Sequence, residues 1–153
     1  MTLISEIRCA VLPEQAALSE LHRRSSFVWE EDRIQLHAHP HALGVASEAI
    51  VDGRVRVAVG PEGELLGFSV WADATGGVCE LDDLFVEPDL MRRGIGRALV
   101  EDLAQRALRA GYRQLTVVAH SRNFAFYESV GFVVGEPVRT RFGPATRMRR
   151  ALG

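Results

Sequence analysis

The sequence predicts an α/β fold, a mixed sheet with helices on both faces, and three observations carry that expectation. Val55, Val57 and Val59 alternate with Arg54, Arg56 and Ala58, and an apolar run from Leu65 to Trp71 follows the turn Gly60-Pro61-Glu62-Gly63. That pattern is an antiparallel hairpin. Farther on, Cys79 to Val86, a long amphipathic stretch opened by Gly94, and Leu115 to Ala119 alternate as strand, helix and strand, which calls for parallel neighbours. The predicted order is βα(α)βββαβαββ over one domain, residues 1–153.

Ile7 to Val11 reads as the first strand, and Pro13 suits the first turn of the helix after it, where a missing N–H costs nothing. Leu18, Leu21 and Ser25 recur at helical spacing, and Phe27, Val28 and Trp29 continue the apolar content. The segment 33–53 is irregular, with His37, His39 and His41 in a loop beside Pro40. In the helix that Gly94 opens, Ile95, Leu99, Leu103 and Ala107 form one stripe, and Gly111 ends it as a left-handed cap. Ser121 is positioned to cap a short helix that runs through Tyr127 and stops at Gly131. The last two strands are expected at Phe132–Val134 and Ala145–Arg149, around a Phe142-Gly143-Pro144 turn.

Composition narrows the function. The chain has 153 residues, 47% of them hydrophobic, and a formal net charge of −2. No overall basic surface is available for a phosphate backbone, which argues against nucleic-acid binding. All 18 basic residues are arginine, and without lysine neither a Walker-type phosphate loop nor a Schiff base can form. Cys9 and Cys79 are far apart and make neither a metal spacing nor a disulfide framework, and no metal is expected. The N-terminal residues lack a signal pattern and no stretch is apolar for long enough to span a bilayer, so a cytoplasmic protein without membrane association is expected.

The chemistry concentrates at Arg92-Arg93-Gly94-Ile95-Gly96-Arg97, between a strand and a long helix. The first amides of a helix have no intrahelical partner, the helix dipole adds partial positive charge, and glycines let an anion approach the backbone. The same spacing also suits a plain tight turn. A third glycine and a later acidic residue, which a dinucleotide fold needs, are missing. The preceding strand is dense in acid, with Glu80, Asp82 and Asp83, although acidic residues are depleted in strands. Alternation places Glu80 and Asp82 on one face and Asp83 on the other.

The run Leu84-Phe85-Val86-Glu87-Pro88-Asp89-Leu90-Met91-Arg92-Arg93-Gly94-Ile95-Gly96-Arg97-Ala98-Leu99 resembles the acetyl-CoA motif of GNAT superfamily N-acetyltransferases. Ala125-Phe126-Tyr127-Glu128-Ser129-Val130-Gly131-Phe132 is similar to that superfamily's second motif. The resemblance covers essentially the whole chain and implies the GNAT fold. It implies that backbone amides from Arg92 to Ala98 hold the pyrophosphate of acetyl-CoA, and that pantetheine pairs with Leu84, Phe85 and Val86. It departs at Met91, where Gln or Arg is usual, and at Arg122, where an Asn is usual.

The resemblance further implies acetyl transfer to a primary amine, by direct attack within a ternary complex. Tyr127 matches the tyrosine that protonates the departing thiolate, and a phenol keeps its proton at neutral pH. Asp82 matches a position where relatives place an acid facing the acceptor and is taken first as base; Glu80, Asp83 or a water relay are the alternatives. The acceptor is expected to be a small molecule, and the family resemblance leaves a homodimer open. A non-catalytic acyl-CoA-binding module and a protein acetyltransferase are the rival readings. Cys79 has no cationic partner nearby in sequence and is read as core. The histidine loop is read as solvated, or as the rim of the acceptor site. Arg139, Arg141, Arg147, Arg149 and Arg150 form a basic cluster on the last strands, either a solvated face or a contact for an anionic group or a second copy.

Overall fold

In the computed structural model, residues 3–26, 44–140 and 143–153 are described. The elements are β1 (Glu6–Cys9), a 3-10 turn (Leu12–Glu14), α1 (Gln15–Ser26), α2 (Ser47–Val51), β2 (Val55–Val59), β3 (Leu65–Asp73), β4 (Val78–Val86), α3 (Ile95–Arg109), β5 (Gln114–Ala119), α4 (Phe124–Ser129), β6 (Val133–Thr140) and β7 (Gly143–Ala151). The strands form one seven-stranded sheet in the order β1-β2-β3-β4-β5-β7-β6. β4 and β5 pair in parallel while β1–β2, β2–β3, β5–β7 and β6–β7 are antiparallel, so the mixed sheet is as the sequence predicts. The Phe27-Val28-Trp29 continuation, the histidine loop, Arg141 and Phe142 lie outside the described residues.

The chain divides into two compact units, residues 1–70 with 83–99, and residues 71–82 with 100–153. In the first unit the hairpin is the organising element. Val55, Val57, Val59, Phe68 and Val70 bury one face against Leu18 and Leu21 of α1 and Ala49 and Ile50 of α2. Ala58 and Leu66 turn to the other face and meet Ile95 and Leu99 of α3. Helices therefore cover both faces of the sheet. The α3 face comes close because β3 carries glycine there. A Cβ on Gly67 would lie 2.8 Å from the carbonyl oxygen of Phe85 and 3.3 Å from Ile95 and Leu99. Truncating Leu99, which is fully buried, to alanine would cost about 2–5 kcal/mol.

In the second unit Leu115 and Val117 of β5 pair in register with Cys79 and Leu81 of β4 on one side and with Arg150 and Met148 of β7 on the other. All but Arg150 are buried. Arg150 reaches Glu101 of α3 at 2.7 Å, which ties β7 to that helix. α3 ends as expected: Gly111 takes φ 96°, and the Tyr112 amide donates to the Ala107 carbonyl at 2.9 Å.

Three boundaries differ from expectation. The first strand is Glu6–Cys9, and the 3-10 turn at Pro13 precedes a helix that begins only at Gln15. Ser121 does not cap the short helix; it starts a 3-10 turn, and α4 begins at Phe124 after Asn123 with no side-chain cap. The final strands are longer than predicted, because a bulge between Val134 and Pro137 absorbs the proline and lets β6 continue to Thr140.

Candidate functional site

Gly94 and Arg92 give the turn after β4 its shape. Arg92 has φ 66° and Gly94 φ 85°, two left-handed residues with one between them. Left-handed backbone is costly for an arginine, and alternation of this kind curls successive N–H groups into an anion-binding concavity. Met91, Arg92, Arg93 and Gly94 are exposed, and no atom lies within 4 Å of where a Cβ on Gly94 would stand. The turn leads into α3, a helix of 15 residues whose first turn contains no acidic side chain. Ile95 is 1% exposed, so its side chain anchors the helix and only its backbone is available to a ligand. Gly96 and Ala98 are half-buried and Arg97 is exposed. The residues present fit a pyrophosphate: open amides, a helix dipole, flanking arginines and no competing carboxylate in the first turn.

The end of β4 is fastened to α1. Ser25 donates its hydroxyl to the Val86 carbonyl at 2.8 Å, and Arg24 grips Glu87 with two hydrogen bonds, 2.7 and 3.1 Å. The Glu87 amide donates to the Leu66 carbonyl at 2.9 Å. Leu84 and Val86 pack on the α3 side, whereas Phe85 faces α1 and lies 4.3 Å from the His22 ring. His22 is buried, and burial lowers its pKa, so the ring is neutral. Its Nδ1 lies 2.9 Å from the Gly44 amide nitrogen and 3.2 Å from the Gly44 carbonyl oxygen, which holds the ring in place.

The three acids of β4 occupy different surroundings. Glu80 is ion-paired, accepting from Arg147 at 3.0 Å. Asp82 is exposed. Asp83 is half-buried, and burial pushes its carboxyl up to about 6. The parallel pairs of β4 with β5 run from Val78↔Gln114 to Leu81↔Val117.

Tyr127 is 8% exposed, with its ring edge-on to Phe126 and Phe132 at 5.1 and 5.5 Å. Its carbonyl closes the helix end, accepting from the amides of Val130 and Phe132 at 3.1 and 3.0 Å. Burial drives the Cys79 thiol up to about 12, which makes it a core residue and no nucleophile. Trp71 packs edge-on to Tyr112. Three arginines of the basic cluster are held in ion pairs: Arg147 with Glu80 and Glu136, Arg149 with Glu136, and Arg150 with Glu101. Among the described residues no group of three His, Cys, Asp or Glu is placed to hold a metal ion, and no described helix is long and apolar enough to cross a membrane.

Nothing in local spacing signals the Arg24 and Ser25 contacts to β4, or the placement of His22 against Phe85. The uneven desolvation of the three acids depends on packing that spacing does not report.

The sequence model of the acetyltransferase (GNAT) domain matches residues 45–134. Among solved structures, PaiA N-acetyltransferase from Thermoplasma acidophilum, in complex with coenzyme A, is 20% identical with a TM-score of 0.75, over 95% of this chain and 98% of that one. A GNAT superfamily phosphinothricin acetyltransferase from Sinorhizobium meliloti, in complex with AcCoA, is 22% identical with a TM-score of 0.70, over 97% of this chain and 88% of that one. The ribosomal-protein-S18-alanine N-acetyltransferase from Escherichia coli is 21% identical with a TM-score of 0.71, over 97% and 94%. At these identities the likeness is one of fold. No curated protein matches the chain.

Proposed function

The chain belongs to the acetyltransferase (GNAT) family, and on that premise we propose that it moves an acetyl group from acetyl-CoA to a primary amine of a small-molecule acceptor in the cytoplasm, the whole chain acting as one catalytic domain. The observation that carries this reading is the exposed turn with Arg92 and Gly94 left-handed at the head of α3. In this reading the amides of Arg92, Arg93, Gly94, Ile95, Gly96, Arg97 and Ala98 take the pyrophosphate. The extended backbone of Leu84, Phe85 and Val86 takes the pantetheine arm, and an amide there polarises the thioester carbonyl. Acetyl-CoA supplies the activated acyl group. Holding it beside the amine converts an encounter into an effectively unimolecular step.

An alkylammonium must lose its proton before it can attack. We assign that proton to Asp82, which sits in the position that the family resemblance favours. Asp83, on the opposite face of β4, is the alternative: desolvation raises its carboxyl to about 6, where it binds a proton more readily than an ordinary carboxylate. Tyr127 returns a proton to the departing sulfur. Structural neighbours solved with coenzyme A or AcCoA support the choice of acyl donor.

The test is acetyl-CoA consumption over amino acids, polyamines, aminoglycosides and peptides, with calorimetry of CoA alongside. Turnover of a small amine supports the reading. CoA binding without turnover of any amine makes the chain a binding module, turnover confined to peptides makes it a protein acetyltransferase, and loss of both ends the assignment.

A further inference from the structure

Three strands of the second unit place a compact set of charges on one face. Glu80 of β4 lies opposite Thr116 of β5, and Thr116 lies opposite Arg149 of β7, so the three side chains share a face. Arg147, two residues from Arg149, is on the same face and reaches across β5 to Glu80 at 3.0 Å. The β6 bulge turns Glu136 toward both arginines. It accepts from Arg149 at 2.6 and 2.5 Å and lies 3.5 Å from Arg147. Thr116 is 3% exposed, and its hydroxyl has no hydrogen-bond partner. A buried hydroxyl without a partner is destabilising, whereas valine of the same shape would fit a purely structural role without that cost.

We infer that the Glu80–Arg147 pair recognises the acceptor, and that the acceptor is a small zwitterion, an amino acid or a close analogue, whose anionic oxygen group takes Arg147 while Glu80 holds its ammonium. The inference rests on the proposed acetyl transfer and specifies its substrate class. The pair is well suited to exchange. Both members are partly exposed, with side-chain exposures of 30% and 26%, so their mutual attraction is weak. A zwitterion inserted between them gives each a new opposite charge and strands neither. Arg147 offers a planar fork of donors that matches a carboxylate or a phosphonate. Thr116 beneath gains an oxygen or N–H partner. Asp82, the next residue after Glu80 on that face, stands where a held ammonium could pass on its proton. A polyamine or aminoglycoside would leave Arg147 facing added positive charge, so these acceptors are disfavoured.

The experiment compares α-, β- and γ-amino acids with their amides and with the corresponding decarboxylated amines, in acetyl-CoA turnover and in calorimetric binding to the CoA-loaded enzyme. The carboxylate series is expected to have the higher kcat/KM, by roughly tenfold to a hundredfold, the scale of one charge-assisted hydrogen bond. Arg147→Gln should erase that preference by lowering the carboxylate series alone, and Arg147→Lys should restore part of it. Glu136→Gln should raise kcat/KM for carboxylates, because it removes a competitor for Arg147 and Arg149. Thr116→Val should raise Tm while weakening carboxylate acceptors. Indifference to the carboxylate, better turnover of decarboxylated amines, or an equal fall of both series in Arg147→Gln would overturn the inference while leaving acetyl transfer intact. If no amine is turned over, acetyl transfer fails, and calorimetry still decides: amino-acid binding that Arg147→Gln abolishes upholds the recognition element, and no binding overturns it.

Discussion

Ser25 on α1 donates its hydroxyl to the main-chain carbonyl of Val86 at 2.8 Å, so the last residue of β4 is fixed from outside the sheet. Immediately beside it, Arg24 holds Glu87. These contacts set the direction in which the chain leaves β4 for the glycine turn. Their energies differ. The Arg24–Glu87 pair is largely exposed on the arginine side and contributes about 0–1 kcal/mol, whereas the half-buried hydroxyl contributes about 1 kcal/mol. Ser25→Ala is therefore expected to lower Tm by about 2–4 °C and raise KM for acetyl-CoA, with Arg24→Ala having the smaller effect on stability. Calorimetric melting and initial rates check both; an unchanged KM in Ser25→Ala would detach α1 from donor binding.

Asp83 makes stability depend on pH in a defined sense. Its folded pKa, about 6, lies above the unfolded value near 3.8. Between those values the folded state holds the proton that the unfolded chain has lost, so this group's contribution to stability falls as pH rises through the window. Asp83→Asn should thus be more stable than the parent above pH 6, by roughly 3 kcal/mol at most, and equal to it below about pH 4. Denaturant titrations across pH 3.5–8 measure the difference. If Asp83 is the base, the rising limb of turnover near pH 6 disappears in Asp83→Asn and survives in Asp82→Asn; the reverse outcome assigns the base to Asp82.

Tyr127 packs between Phe126 and Phe132, so removing only its oxygen keeps the ring contacts. Tyr127→Phe should retain the fold and CoA affinity while turnover falls by roughly 10²–10⁴, the range for loss of general acid catalysis. Wild-type rates in that variant would make the tyrosine a packing residue only.

Local rules made most of the architecture readable. The alternating valines specified β2, the glycine at 111 stopped α3, and the stripe from Ile95 to Ala107 specified its buried face. The sequence also marked the turn at Gly94, because a glycine between a strand and an amphipathic run has few other uses. What it did not reveal depends on distant partners. The bulge at Val134–Pro137 lengthens a strand that Pro137 alone would have ended. Ser121 resembles a cap in sequence, but the chain spends a 3-10 turn before α4 begins. Glu80, Asp82 and Asp83 are alike in chemistry and differ in surroundings: Glu80 meets an arginine from β7, Asp82 is exposed, and Asp83 is desolvated by burial.

Backbone amides at the head of α3 are proposed to hold the donor's pyrophosphate, and amide NMR under CoA titration reads this contact residue by residue. Saturable shifts are expected, centred on Arg93, Gly94, Ile95 and Gly96, reproduced by pyrophosphate-containing fragments and weakened at least tenfold in Gly94→Val, whose side chain would strain a residue at φ 85°. Binding of CoA that leaves those four amides unmoved, or undiminished affinity in Gly94→Val, would contradict it.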